Sequence, residues 1–270
     1  MEFFMKFINA ITNNHYLYWF LFPFSHILVG TVIGAKQNQF HFYPFLLLYV
    51  FLLLTHLLEN FLIKKQENKL LSSPKFRRFF FVSVIIVLIL TTVAVNLPAV
   101  LLLVLYLVFL LLTYHSSLHL EQTIVYYVLQ LFFQAFILNV IAYYIQSGYI
   151  SEQFFIYLIP TVLLMSITIH QQQIKLTSST NLSGTYLNFI RKYSTLITLT
   201  LYSGALVVIG ILFNASLTDM SRQMLFILPI ILFLFPLVSR EFRKKVDINR
   251  YLSLLVWLSI LLFSTLLKIK

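Results

Sequence analysis

The chain contains a long apolar stretch at residues 78–114, RFFFVSVIIVLILTTVAVNLPAVLLLVLYLVFLLLTY, in which Arg78 is the only charged residue. The hydrocarbon core of a bilayer accommodates about 20 apolar residues per helix, so this stretch is long enough for two spans. Asn96 and Pro98 interrupt it near the middle, which predicts a tight hairpin between two helices. The stretch therefore predicts a membrane protein.

The composition of the whole chain agrees with this interpretation. Of its 270 residues, 60% are hydrophobic and 10% are charged, whereas soluble domains carry about 25% charged residues. Cysteine is absent, which excludes a disulfide framework, a thiolate metal site and a cysteine nucleophile. In so apolar a chain, the net charge of +11 is more typical of loops facing anionic lipid than of nucleic-acid binding. We therefore expect membrane lipids, and no nucleic acid, as partners.

Nine segments have the length and apolarity expected of membrane-spanning helices. In chain order they cover residues 17–35, 43–63, 78–96, 98–114, 123–146, 154–170, 193–213, 224–239 and 251–267. The eighth segment is short and contains Pro229 and Pro236. The sequence thus predicts an all-α integral membrane protein with nine transmembrane helices, in which residues 1–270 form a single polytopic domain.

The distribution of lysine and arginine predicts the orientation. With the N-terminus in the cytoplasm, fifteen of the 19 basic residues fall on cytoplasmic segments, as the positive-inside rule requires. The predicted cytoplasmic loops cover residues 64–77, 115–122, 171–192 and 240–250. We expect an integral protein of a bacterial inner (plasma) membrane with a cytoplasmic N-terminus.

Two long cytoplasmic loops follow helices whose last turns are polar. His56, Glu59 and Asn60 lie at positions i, i+3 and i+4 and share one face of the second helix. His170 and the glutamines at 171–173 end the sixth helix, four helices later, which suggests an internal duplication. A polar cluster inside a membrane is costly and is a candidate functional site, although such groups can also mark the membrane–water boundary.

This layout resembles the UbiA superfamily of intramembrane prenyltransferases, whose members have nine helices and cytoplasmic active-site loops after helices two and six. FSHILVG at 24–30 resembles the family's opening Arg-Pro…Gly helix, and LENFLIKKQEN at 58–68 lies where the family has its Asn-Asp-x-x-Asp-x-x-x-Asp motif. YHSSLHLE at 114–121 is similar to the Tyr-Ser…Arg/Lys stretch between helices four and five. SGTYL at 183–187, with Arg191 and Lys192, resembles the Gly-Lys-x-Thr-Leu…Gly-Arg-Lys run.

The resemblance implies transfer of a prenyl group from a prenyl diphosphate to a lipid-soluble acceptor by a UbiA-like helix bundle. In the family, two aspartate clusters hold Mg²⁺ ions that neutralise the diphosphate leaving group. The residues that take the catalytic positions here are Glu59, Asn60 and Glu67, and the two glutamates are the candidate Mg²⁺ ligands. The residues implied to bind substrate are His56, His170, Gln171, Gln173, Tyr114 and His119.

The departures from the family pattern leave alternatives open. No carboxylate lies between His170 and Lys192, and neither of the two aspartates, Asp219 and Asp247, fits the second motif. Standard catalysis with two metal clusters is therefore doubtful. The chain can be a prenyltransferase with one Mg²⁺ ion, a prenyltransferase-derived isoprenoid-binding protein, or a catalytically inactive membrane partner, scaffold or transporter on the same fold.

Small and amide residues predict how the helices pack. Gly30 and Gly34 form a small-x-x-x-small motif, which we interpret as internal packing in preference to a dimer interface. Gln130 and Gln134 share a face of the fifth helix, with Asn139 on a different side. We interpret these amides as bridges between helices, with pocket lining as the alternative.

Overall fold

The computed structural model describes residues 15–64, 74–95, 97–113, 120, 123–178, 185–216, 220–238, 242 and 246–268. Within these residues every regular element is a helix, which confirms the predicted all-α class. The helices are α1 (His15–Ser25), α2 (Leu28–Gln37), α3 (Phe42–Lys64), α4 (Pro74–Ala94), α5 (Leu97–Thr113), α6 (Ile124–Gln130), a π-helix (Leu131–Ile137), α7 (Leu138–Ser147), α8 (Glu152–Ser178), α9 (Thr185–Lys192), α10 (Ser194–Ala215), α11 (Met220–Leu225), α12 (Ile227–Val238) and α13 (Ile248–Leu266).

Several of these helices are compatible with insertion into a membrane. Among the described residues, five helical stretches are long and apolar enough to cross one: Phe42–Glu59, Ile124–Ser147, Glu152–Lys175, Ser194–Ala215 and Ile248–Leu266. Three shorter apolar helices cover Phe81–Ala94, Leu97–Thr113 and Gln223–Pro236. The outer faces of α4 and α5 are strongly apolar and exposed, with Val93 85% exposed, as expected of surfaces that face lipid.

The first predicted span is divided into two helices, α1 and α2. Pro23 lies inside α1 and has no backbone N–H to donate, which weakens the helical ladder there. At the break, the N–H of His26 donates to the Pro23 carbonyl oxygen (3.3 Å) and that of Ile27 to the Phe24 carbonyl oxygen (3.2 Å). The chain thus makes two tight i to i+3 turns, and the break is buried inside the protein, where irregular backbone is tolerated at membrane depth.

Helix α2 packs against α7 through its two glycines. A Cβ atom at Gly30 would lie 2.0 Å from the carbonyl oxygen of Asn139, and one at Gly34 would lie 2.9 Å from that of Tyr143. The Gly30 N–H, one of the donors left free at the start of α2, donates to Oδ1 of Asn139 (3.0 Å). Internal packing at the glycine motif and bridging by Asn139 are therefore confirmed.

Lys36 joins α2 to the last helix. Its Nζ donates to the carbonyl oxygens of Ser264 (2.7 Å), Thr265 (2.8 Å) and Leu267 (2.7 Å) at the C-terminal end of α13. The last carbonyls of a helix have no partners within it and carry partial negative charge, so an ammonium group with three donors is well suited to them. This contact fixes the first and last parts of the described chain to each other.

The core consists of two hydrophobic clusters on either side of the first two helices. One cluster is formed mainly by α8, α10 and α13, and the other by α3, α5 and α7. Leu28 belongs to the first cluster, Ile27 to the second, and Phe24 packs against both. The α1–α2 break therefore lies between the two halves of the core.

Some predicted boundaries differ from those of the structure. The predicted sixth helix ends at 170, but α8 continues to Ser178, and Thr185–Lys192 form α9, so much of the predicted loop 171–192 is helical. Helix α4 begins at Pro74 and α13 at Ile248, which shortens the predicted loops 64–77 and 240–250. Most of the predicted loop 115–122 lies outside the described residues. Glutamine is a good helix former, which explains the longer α8.

Candidate functional site

A buried polar cluster lies near the end of α3, where the first motif was predicted. We call it the Glu59 cluster; its members are His26, His56, Glu59, Tyr106 and Gln134. These side chains line one cavity, together with Phe22, Pro23 and Leu52. The cavity measures about 10 Å³, enough for roughly one water molecule. The residues come from the α1–α2 break, α3, α5 and the π-helix, so four parts of the chain meet there.

His56 and Glu59 form the ionisable pair of this cluster. Nδ1 of His56 lies 3.6 Å from Oε2 of Glu59, one helical turn away, as their predicted common face requires. Glu59 is only 5% exposed. Removing a carboxylate from water costs several kcal/mol unless it is paired, so the imidazole is a stabilising neighbour. A carboxylate kept at such a position is a candidate functional group.

His26, at the α1–α2 break, makes contacts through both ring nitrogens and is joined through Nε2 to the π-helix. Nδ1 lies 2.7 Å from the Phe22 carbonyl oxygen, and Nε2 lies 3.1 Å from Oε1 of Gln134. Because a carbonyl only accepts, Nδ1 carries a hydrogen. In a neutral ring Nε2 carries no hydrogen, so the NH₂ group of Gln134 must face it and donate. In a protonated ring Nε2 carries a hydrogen and donates it to Oε1 of Gln134. The orientation of this amide is thus coupled to the charge of His26.

Gln134 lies in the middle of the π-helix. The N–H of Leu138 donates to the Phe133 carbonyl oxygen five residues earlier, which is the π-helical pattern. Such segments are rare and occur frequently at functional sites. The break between α1 and α2 and the π-helix are two departures from regular helical structure, and they meet at the His26–Gln134 contact. This coincidence identifies the Glu59 cluster as the candidate site.

The residues of the predicted second motif lie on α8 and line a different part of the molecule. Nε2 of Gln173 donates to the Thr123 carbonyl oxygen (2.9 Å), and its Oε1 accepts from the Tyr186 hydroxyl (3.2 Å). Nε2 of Gln171 donates to Oγ1 of Thr198 (3.2 Å). Both glutamines therefore bridge helices, and neither lines the Glu59 cavity.

Two buried side chains, one on α6 and one on α8, have polar atoms without hydrogen-bond partners among the described residues. His170 is 3% exposed, and its Nε2 has no partner. Gln130 is fully buried, and neither atom of its amide has one. The bridging interpretation therefore fails for Gln130 within the described part of the chain. Gln134 both bridges to His26 and lines the cavity, so bridging between helices and pocket lining are both true of this residue.

The remaining predicted site residues are only partly described. Asn60 belongs to α3, but its side chain is outside the described part of the structure. Glu67, Tyr114 and His119 lie outside it entirely. The described cluster offers Mg²⁺ a single carboxylate beside two imidazoles, whereas Mg²⁺ prefers several oxygen ligands. Among the described residues, no group of three or more His, Asp or Glu side chains is arranged so that it could hold a metal ion. The described residues alone do not fit a Mg²⁺ site.

Sequence reasoning did not select His26 or Tyr106 as site residues. Tyr106 is 4% exposed and lies beside Gln134 and Thr55. A signal existed for both residues. His26 is a histidine within an apolar run three residues after Pro23, and Tyr106 is the only polar side chain of α5 before Thr113.

Comparisons of the chain with protein-family models, with curated proteins and with solved structures found no match.

Proposed function

We propose that this chain is a UbiA-like intramembrane protein that binds an isoprenoid lipid, with the polar head of the lipid at the Glu59 cluster. The observation that carries the proposal is the buried Glu59–His56 pair beside the broken first helix, at the position of the first motif that the resemblance implies. Ionisable groups within a membrane are expensive and usually serve a function. The apolar tail of an isoprenoid suits the surrounding lipid-facing helices.

Binding is better supported than transfer. The resemblance implies transfer of a prenyl group from a prenyl diphosphate, with Glu59 and Glu67 as the only carboxylates placed to hold Mg²⁺. One carboxylate in the described cluster is compatible with a retained binding site but gives little support for the family's two-metal chemistry. The cavity would also have to widen, because it now holds about one water molecule.

A transporter, or a non-catalytic membrane partner, is the second candidate. It is favoured by the discontinuous first helix next to buried ionisable side chains, since broken helices and intramembrane charges line substrate and ion pathways in transporters. A transporter would move an ion or solute across liposomes without added lipid substrate, and a non-catalytic partner would co-purify with an enzyme.

We further propose nine spans, with the N-terminus in the cytoplasm of a bacterial inner membrane. Support comes from the five long and three shorter apolar helices, together with α1 and α2 as one broken span. The chain lacks cysteine, so single cysteines report on accessibility. Lys175 and Lys192 are exposed at one proposed side, and Asn38 and Glu152 at the other. Cysteines in these two pairs should react from opposite sides of the membrane, and reaction of Lys175→Cys and Asn38→Cys from the same side would contradict the topology.

The binding proposal is tested with farnesyl diphosphate and farnesol, each with and without Mg²⁺. Glu59→Gln should abolish metal-dependent binding of the diphosphate and spare farnesol, whereas Glu152→Gln, an exposed control, should change neither. Metal-independent binding that is unchanged in Glu59→Gln would rule out this site, and failure of both lipids to bind would favour the transporter or partner.

A further inference from the structure

A second cavity lies on the other side of Phe22 from the Glu59 cluster. It is lined by Leu21, Phe22 and Ser25 of α1, Thr168 of α8, and Ser253, Leu254 and Trp257 of α13. It measures about 10 Å³, room for one water-sized group. Phe22 lines both cavities, and its ring lies against the rings of His26 (4.7 Å between centroids) and His56 (5.0 Å).

The polar side chains of this second cavity differ in whether their hydrogen-bond donors have partners. The indole Nε1–H of Trp257 is buried and has no hydrogen-bond partner within the described part of the chain. The hydroxyl groups, in contrast, all donate to backbone carbonyl oxygens. Ser25 donates to Phe22 (2.6 Å), Thr168 to Met165 (2.8 Å) and Ser253 to Asn249 (2.9 Å). The hydroxyl hydrogens are therefore used, while each oxygen keeps at least one lone pair free; the Ser25 oxygen also lies 3.4 Å from Nδ1 of His26.

The cavity thus offers one unused donor and three acceptors. An indole N–H can only donate, and a buried polar group without a partner costs about 1–3 kcal/mol, so an oxygen atom at this place is favourable. An anionic oxygen would accept from Trp257 but would also face the lone pairs of three hydroxyl oxygens. A hydroxyl group satisfies both requirements, because it accepts one hydrogen bond and donates another.

We propose that this cavity binds the hydroxyl head of a lipid-soluble alcohol or phenol, at a site separate from the Glu59 cluster. Its other walls, Leu21, Phe22 and Leu254, suit the first carbons of an apolar tail, for which the cavity must widen beyond its present room for one water-sized group. The proposal does not depend on the function proposed above, since none of its hydrogen-bonding groups lines the Glu59 cavity. It predicts a preference for alcohols over diphosphates at this position.

The experiment uses the full chain carrying Trp19→Phe. The chain has two tryptophans, so Trp257 becomes its only indole fluorophore. Farnesol should produce a saturable red shift of the emission, since a hydrogen bond forms at the indole N–H. Farnesyl methyl ether, which cannot donate, should bind at least about 2-fold more weakly, the effect of one lost hydrogen bond. The hydrocarbon farnesene should produce no saturable shift.

Matched variants identify the groups involved, with radiolabelled farnesol as the probe and circular dichroism as the check on folding. Ser253→Ala and Thr168→Val should each weaken binding about 2- to 12-fold, and Trp257→Phe should do so by a similar factor. Ser203→Ala is the control, because Ser203 is exposed on α10 and donates to Thr200 in the same way. Equal binding of farnesol and farnesene, or unchanged binding in both Ser253→Ala and Trp257→Phe, would show that the cavity holds only water. Failure of farnesyl diphosphate to bind at Glu59 would leave this result intact.

Discussion

The α2–α7 contact and the region of Gln130 and His170, on α6 and α8, differ in how their buried polar groups are satisfied. Around the α2–α7 contact, the amides are satisfied by protein. Asn139 accepts from Gly30, the Tyr143 hydroxyl donates to Gln37, and the Gln146 amide makes two hydrogen bonds with the backbone of His41 (2.8 and 3.2 Å). Because few alternative arrangements would satisfy so many groups, this region has the properties of a rigid scaffold.

At Gln130 on α6 and His170 on α8, in contrast, buried polar atoms lack partners in the described part of the chain. The amide of Gln130 and Nε2 of His170 have none among the described residues. Most buried polar groups in proteins are hydrogen-bonded, so those that are not call for a water molecule, an ion or a ligand. In the first region the polar side chains stabilise the fold. In the second, the unsatisfied polar groups lower its stability, as is common at functional sites.

The largest expected effect is at the scaffold, from Gly30→Leu. Its Cβ alone would lie 2.0 Å from a backbone oxygen of α7, which the backbone can relieve only by moving α2 away. Overpacking a core costs about 1–3 kcal/mol and occasionally more, and we expect loss of folded protein here. The measurement is the monodisperse fraction in detergent by size-exclusion chromatography.

Gly210→Leu is the matched control for that experiment. Gly210 lies in the middle of α10, and no neighbouring atom lies within 4 Å of a Cβ built there. The yield should stay at the wild-type value, since the side chain would point into lipid. Wild-type behaviour of Gly30→Leu would mean that α2 and α7 do not pack closely.

A smaller effect is expected from Asn139→Ala, which removes the partner of the Gly30 N–H. The unsatisfied buried donor should lower the free energy of unfolding by about 1–3 kcal/mol. Asn214→Ala, at an exposed position of α10, should change it by less than about 0.5 kcal/mol. Thermal unfolding in one detergent measures both, and equal stabilities would contradict the bridging role of Asn139.

The smallest effects on the free energy of unfolding are expected from two glutamines, one in each region, and they have opposite signs. Gln130→Leu replaces an amide without partners by an apolar side chain, and should raise the free energy of unfolding by about 1 kcal/mol. Gln146→Leu removes two hydrogen bonds to His41, and should lower it by about the same amount. Destabilisation by Gln130→Leu would show that this amide has a partner, which a retained lipid or water would explain.

Periodicity and length predicted the fold better than the site. Apolar runs located the helices because the bilayer fixes how many residues a span needs. They did not reveal the division of the first span, since Pro23 is tolerated inside many membrane helices and only its tertiary surroundings decide whether the chain breaks. The end of the sixth predicted helix was placed too early, at His170. The glutamines that follow resemble a helix end in the sequence, because their partners Thr198 and Thr123 are distant along the chain.

The site was half predicted, for a similar reason. The spacing of His56 and Glu59 follows from one helix and was correctly placed on one face. His26, Tyr106 and Gln134 join them from three other parts of the chain, and no spacing in the sequence encodes that meeting. The π-helix that positions Gln134 has no sequence signature among its residues, LFFQAFI, which resemble any apolar helix.

The contact between Lys36 and α13 has a consequence for the order of folding. The lysine reaches carbonyl oxygens as far as residue 267, separated from it by 231 positions, and these become available only after the last helix has been synthesised. Loop closure over such a distance comes late in folding, and chains fold as they emerge from the ribosome. Until then the ammonium must remain hydrated at the membrane surface. Docking of α13 is thus a late step, and until it occurs the Lys36 ammonium and the last carbonyl oxygens of α13 lack each other as partners.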